Sequence, residues 1–134
     1  MKSTFFRYIY AVLLVLLLPQ LANAADVVVI SHPETPISTG DIKDIFLGEK
    51  QFAGSSKLVV IDNASSQEAF LSKFMQMDVA KYNNIWTKKS FRDGLTPPAV
   101  KSSDADVIEY VKRTPGAVGY VSTSPSGVNI IQKP

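Results

Sequence analysis

Short apolar runs alternate with helical patterns along this chain, and that alternation limits the fold more than any other feature. The runs at 27–30, 58–61 and 117–121 are almost continuously apolar, which is typical of strands buried on both faces of a sheet. Between them, apolar residues recur at helical spacing. Because strands that alternate with helices usually lie parallel, we predict an α/β sandwich with a mainly parallel sheet flanked by helices.

Each predicted helix begins at a residue that can accept a hydrogen bond from the free N–H groups of its first turn. These residues are Ser38 or Thr39, Ser65, Asp78 and Ser103. Glu68 follows Ser65 by three positions and completes the pattern of a capping box. The third predicted helix places Tyr82 and Trp86 on one face, so we expect both, together with Phe91 from the following loop, in the core.

The segment 114–121 predicts a sharp joint between the last helix and a strand. Pro115 ends the helix because its ring cannot continue it, and Gly116 suits the backbone just past a helix end. Gly119 stands inside the strand, where a missing side chain indicates that another group approaches closely.

The first 24 residues have the pattern of a secretory signal peptide. Lys2 and Arg7 precede an apolar run at 8–18 that is too short to span a bilayer, and small residues follow at Ala22 and Ala24. We therefore predict cleavage after Ala24, which leaves one soluble domain at 25–134 without a membrane anchor. The chain has no cysteine, so we expect a protein held together by its core in the periplasm, with free secretion as the alternative.

The charge pattern excludes nucleic acid as an expected partner. The chain has 14 Lys and Arg residues against 12 Asp and Glu residues, and loss of Lys2 and Arg7 would leave the domain near neutrality. It contains no basic stripe of the kind that tracks a phosphate backbone.

Two predicted strand-to-helix junctions are rich in small polar residues. The first contains Ser31, His32, Ser38 and Thr39, and the second contains Ser65, Ser66 and Gln67. Carboxyl ends of parallel strands meet at one edge of a sheet, where helix N-termini suit an oxyanion. These seven residues are our predicted ligand-binding set, and the alternative is that Ser38 and Ser65 only cap helices.

Catalytic and metal-binding patterns are missing from the sequence. His32 is the single histidine, and its neighbour Ser31 is badly placed to form a relay with it. The sequence has no nucleophile elbow and no phosphate loop, and a lone histidine without cysteine is a poor transition-metal site. We predict a protein that is not an enzyme and uses no metal or other cofactor.

Four motifs, in order, resemble segments of the phosphate-type periplasmic substrate-binding proteins. They lie at 44–50, at 66–70, at Trp86 with Phe91, Gly94, Pro97 and Pro98, and at 114–121. The resemblance covers most of 25–123 and implies a single-lobe domain of the type 2 periplasmic-binding-protein fold. It also implies phosphate or a similar small oxyanion as ligand, an ABC-type transporter permease as partner, and ligand contacts at Asn63 to Gln67, above all Ser65 and Ser66.

Two departures from the family pattern lead to a second hypothesis. Full-size relatives have an arginine and an Asp-Gly-Ser-Gly-Thr run where residues 61–67 of this chain read Ile-Asp-Asn-Ala-Ser-Ser-Gln. Residues 25–134 are also too few for two full lobes. The alternative function is a ligand-free periplasmic adaptor or regulatory module that keeps the fold and binds a protein partner.

Overall fold

The computed structural model describes residues 26–132, so the predicted signal peptide at 1–24 lies outside the described residues. Within that part the chain forms seven strands, β1 (Val28–Ser31), β2 (Phe52–Ala53), β3 (Ser56–Lys57), β4 (Val59–Asn63), β5 (Ala99–Lys101), β6 (Ala117–Val121) and β7 (Asn129–Ile131). The α-helices are α1 (Ile42–Phe46), α2 (Gln67–Phe70), α3 (Val79–Asp93) and α4 (Asp104–Arg113). A 3₁₀ turn (Thr39–Asp41) leads into α1, and a π-helical turn (Leu71–Met75) continues α2.

Five strands form the central sheet in the order β5-β4-β6-β1-β7, and β2 and β3 form a separate hairpin. β4 is parallel to both β5 and β6, whereas β1 is antiparallel to its neighbours β6 and β7. Four of the five strands therefore point the same way. This confirms the predicted α/β class with a mainly parallel sheet, and it identifies β1 as the strand that runs against the others.

One face of the sheet packs on α1, α2 and α3 through a mainly aromatic core. The rings of Phe70 and Tyr120 stack with centroids 3.9 Å apart, and Phe46 lies 4.6 Å from Phe70. Tyr82 and Trp86 are buried in the same core, as the sequence predicted, and Trp86 Nε1 donates to the Phe46 carbonyl oxygen at 3.1 Å. Aromatic rings at these separations add to the stability that burial alone provides.

The other face of the sheet packs on α4. Gly119 of β6 allows this approach, because a Cβ at that position would lie 2.8 Å from Val107 Cγ1 and 3.0 Å from Ile61 Cγ1. The close contact predicted at Gly119 is therefore confirmed, and its partners are α4 and the neighbouring strand β4.

Several local predictions were wrong. α3 continues to Asp93, so Phe91 lies on the helix and is 95 % exposed instead of belonging to the core. β5 and the β2–β3 hairpin are not among the predicted strands, because strands of two or three residues leave almost no periodicity to detect.

The predicted helix starts had mixed outcomes. Asp78 Oδ1 accepts from Lys81 N at 2.8 Å and Ser103 Oγ accepts from Asp106 N at 3.3 Å, as expected of N-caps. The capping box at Ser65 is absent: α2 begins at Gln67, after Ser66, which makes no side-chain capping bond.

Candidate functional site

The two polar strand-to-helix junctions, after β1 and after β4, were expected to meet at one edge of the sheet. They lie at opposite edges. Ser31, the last residue of β1, is opposite Val118, which is also the partner of Val60 near the start of β4. The end of β4 lies at the other edge, beside the end of β6. The expected convergence is therefore wrong, and the reason is the antiparallel direction of β1.

At the β1 edge, the predicted ligand-binding residues hold a turn together. Ser31 Oγ donates to the Thr35 carbonyl oxygen at 2.7 Å, and His32 Nδ1 accepts from Glu34 N at 3.1 Å. Ser38 Oγ is exposed and donates to Asp41 Oδ2 at 2.9 Å, and Thr39 is an exposed residue of the 3₁₀ turn. These hydrogen bonds account for the polar character of the segment without a ligand.

At the β4 edge, four polar residues from three separate segments of the chain meet in what we call the Asp104 cluster: Asn63, Ser65, Asp104 and Ser122. Asp104 Oδ1 accepts from Asn63 Nδ2 at 2.7 Å, and Oδ2 accepts from the Ser122 hydroxyl at 2.6 Å and its backbone N–H at 3.2 Å. Ser65 donates its hydroxyl to Asn63 Oδ1 at 2.6 Å and lies 3.5 Å from Asp104 Oδ1. A carboxylate is thus held here mainly by neutral donors.

Ser66 lies in the turn between β4 and α2, beside the Asp104 cluster. It is 8 % exposed, and its hydroxyl oxygen is buried with no hydrogen-bond partner among the described residues. An unsatisfied buried hydroxyl costs about 1–3 kcal/mol, so such groups are rare and call for an explanation. Gln67, the third predicted residue of this turn, is half-buried at the start of α2.

Sequence reasoning missed Asp104 and Ser122. Both follow short strands at the carboxyl edge, Asp104 after β5 and Ser122 directly after β6. The capping pattern at Ser103 predicts the start of α4, but Asp104 reaches this edge through β5, a three-residue strand that the sequence pattern does not reveal. Only the pairing of β5, β4 and β6 brings these side chains to Asn63.

A second carboxylate, Asp62, lies in the core next to the site. It is 2 % exposed and accepts hydrogen bonds from Tyr82 Oη at 2.8 Å and Tyr120 Oη at 2.9 Å. Burial raises the pKa of Asp62 to about 6. Burial also raises the pKa of both tyrosines, and the charge of Asp62 adds to that shift, so their hydroxyls remain donors.

Two kinds of feature are absent from residues 26–132. No three or more His, Cys, Asp or Glu side chains are grouped so that they could hold a metal ion. No helix in this part of the chain has the length and apolar character needed to cross a membrane.

Comparison with known proteins gives matches among solved structures alone, since no family model and no curated protein matches the chain. A structure described as a phosphate ABC transporter substrate-binding protein from Clostridium perfringens, with bound phosphate, superposes with a TM-score of 0.58 at 18% identity. PstS from Borrelia burgdorferi superposes with a TM-score of 0.54 at 21% identity.

These matches cover most of this chain and less than half of each neighbour. The Clostridium protein is matched over 79% of this chain and 44% of its own length, and the Borrelia protein over 80% and 46%. The likeness establishes the fold: the described residues have the architecture of part of each of these two proteins. The resemblance stated from the motifs is confirmed at that level.

Proposed function

We propose that this chain is a periplasmic solute-binding protein for phosphate or a similar small oxyanion, and that it serves an ABC-type transporter. Ser65, Ser66 and Gln67 in the β4–α2 turn are the proposed ligand-binding residues. The observation that carries the proposal is the buried Ser66 hydroxyl, which has a proton to donate and no partner among the described residues. Ser31, His32, Ser38 and Thr39 lie at the opposite edge and are no longer included in the site.

The Asp104 cluster bears on the ligand in two opposite ways, since its donors suit an oxyanion and its carboxylate limits the negative charge that the ligand can carry. Asn63 and Ser122 already hold one carboxylate with neutral donors, which is the chemistry that an oxyanion needs. The same carboxylate lies 3.5 Å from Ser65 Oγ and repels further negative charge. We therefore expect weak binding that favours a ligand of low charge. The structural neighbour from Clostridium perfringens is described as a substrate-binding protein with bound phosphate, which supports a role other than catalysis.

The test is isothermal titration of the purified protein with inorganic phosphate and with sulfate. Ser66→Ala should weaken anion binding at least about tenfold, because a hydrogen bond to a charged group contributes about 1.5–3 kcal/mol. The variant should unfold at the same or a higher temperature than the wild type, since the hydroxyl it removes is unpaired in the described structure.

Ser38→Ala is the matched control, because Ser38 is an exposed serine at the other edge of the sheet. It should leave anion binding unchanged. Absence of heat with millimolar phosphate and sulfate, or equal affinity in Ser66→Ala and wild type, would end the proposal.

The adaptor is the second candidate, and two observations favour it. The donors of Asn63 and Ser122 are occupied by Asp104, so the edge has fewer groups to offer a ligand. Phe91 is 95 % exposed on α3, beside a groove of about 590 Å³ that Trp86, Thr87 and Pro97 help to line. An exposed aromatic residue next to a groove is typical of a surface that contacts another protein.

This candidate predicts a discrete protein adduct when a photo-crosslinking amino acid replaces Phe91 in the exported protein. The same replacement at Glu109, an exposed position on α4, should give no adduct. Equal labelling at both positions, or none at Phe91, would count against the adaptor.

A further inference from the structure

A cavity of about 550 Å³ lies beside the first half of β4, and we call it the β4 cavity. Leu58, Val59 and Val60 form one wall, and the loop at 94–98 forms another. None of the residues of the β4–α2 turn lines it, so it is separate from the proposed oxyanion site. Its volume falls in the range of about 300–1,000 Å³ that is typical of small-molecule sites.

The cavity follows from the shortness of β5. β5 pairs with Ile61, Asp62 and Asn63 of β4, whereas Val59 and Val60 pair with β6 on one side and lie beyond the start of β5 on the other. The chain just before β5 contains Pro97 and Pro98, which have no N–H to extend the ladder. The loop therefore leaves β4 and opens a space, instead of continuing the sheet.

The walls of the β4 cavity are mostly apolar. They include the buried side chains of Ile45, Leu58 and Trp86, together with the half-buried Leu95. Tyr110 adds an aromatic ring. A ligand that fills this space must therefore have an apolar body.

The charged groups at the cavity have one sign. Lys50 and Lys57 line it, and among the described residues no aspartate or glutamate does. Lys50 is paired with Asp41 at 2.9 Å. Lys57 is exposed and has no ion pair or hydrogen bond from its ammonium group within residues 26–132. The cavity thus presents an available cation next to apolar walls.

We infer that the β4 cavity binds a small amphipathic anion, with an apolar or aromatic body against Trp86 and Leu95 and a carboxylate, sulfonate or phosphate group at Lys57. Inorganic phosphate would leave the apolar walls uncovered, so the apolar body distinguishes this ligand class from that of the β4–α2 turn. The site goes beyond the proposed function and does not depend on it.

Trp86 is the only tryptophan in the chain and lines this cavity as well as the groove beside Phe91. Its fluorescence reports on both, and Thr96 separates them because it lines the β4 cavity and not that groove. The probes are 1-anilinonaphthalene-8-sulfonate, which is an anion, and N-phenyl-1-naphthylamine, which has a similar body and no charge. We expect the anionic probe to quench Trp86 with single-site saturation. Thr96→Phe, which adds bulk at the cavity wall, should weaken both probes.

Lys57→Gln should weaken the anionic probe about three- to fivefold, as expected for loss of a partly solvated ion pair, and leave the neutral probe unchanged. Lys43→Gln is the matched control, because Lys43 is exposed on α1 and does not line the cavity. Thermal unfolding of each variant checks that it folds. Equal weakening of both probes by Lys57→Gln, the same loss in Lys43→Gln, or absence of saturable quenching overturns the inference.

The test separates this inference from the proposed function. Millimolar inorganic phosphate should leave the anionic probe bound to the wild-type protein, because the two sites share no residue. Phosphate binding without probe binding would overturn the amphipathic site alone. Probe binding without phosphate binding would overturn the oxyanion site alone.

Discussion

Gly116→Ala will lower the free energy of unfolding by about 3 kcal/mol or more, the largest loss that we expect from a single added methyl group. Gly116 has φ of +85°, and a Cβ there would lie 2.2 Å from the Lys57 carbonyl oxygen. A left-handed backbone costs a side chain about 1–2 kcal/mol, and overpacking adds about 1–3 kcal/mol. The clash is with backbone, so no rotamer change relieves it.

Gly116 also joins three parts of the fold. Its N–H donates to Thr35 Oγ1 at 2.9 Å, and its carbonyl oxygen accepts from Val59 N at 2.8 Å. A shift of this residue away from Lys57 would therefore strain the turn after β1 and the start of β4 together.

The control for Gly116→Ala is Gly54→Ala. Gly54 has φ of +61°, and a Cβ added there would meet no atom within 4 Å beyond its own chain neighbours, so it reports the backbone cost alone. Urea unfolding should show a loss of about 1–2 kcal/mol for Gly54→Ala. Equal losses in the two variants would show that the Lys57 contact does not matter.

Asp62→Asn will raise the free energy of unfolding, measured relative to wild type, by up to about 3 kcal/mol as the pH increases from acidic to neutral. The pKa of Asp62 is raised from 3.8 to about 6, which corresponds to about 1.4 kcal/mol for each pKa unit. The native protein therefore holds this proton more tightly than the unfolded chain does. The stability that Asp62 contributes is fully present below pH 3.8 and is lost as the pH rises through 6.

Urea unfolding of wild type and Asp62→Asn between about pH 4 and pH 8 measures this effect. The free energy of unfolding of the variant, relative to wild type, should rise across that range, because asparagine has no proton to lose. An asparagine oxygen can still accept from one tyrosine, and its amide can donate to the other. Asp44→Asn, at an exposed position on α1, should give a profile parallel to that of wild type. A difference between Asp62→Asn and wild type that does not vary with pH would contradict the prediction.

Local signals were enough to predict most of the secondary structure. β1, β4 and β6 lie in mainly apolar runs, and Asp78 and Ser103 cap α3 and α4 as the sequence pattern indicates. These features depend on neighbouring residues, which is why one sequence reveals them. The direction of β1 could not be predicted in this way. An apolar run has the same pattern whichever way the strand runs, and the pairing of β1 with β6 depends on segments far apart in the sequence.

The candidate site was also predictable only where it depends on local sequence patterns, and not where it depends on the pairing of distant strands. Ser65, Ser66 and Gln67 were found because they follow a clear strand, and the structure places them at the carboxyl edge of β4. Asp104 and Ser122 reach the same edge only through sheet pairing. The burial of Asp62 by Tyr82 and Tyr120 likewise depends on contacts between α3, β4 and β6, which local sequence patterns do not reveal.

The position of β1 also has a consequence for how the domain assembles. Among the strands within residues 26–132, β1 is synthesised first, and its two partners, β6 and β7, are synthesised last. An incomplete nascent chain therefore has an apolar first strand with no native partner, and the sheet closes only after nearly all of the domain has been made. Pairing across such a separation is slow and leaves that strand open to wrong partners in the interval.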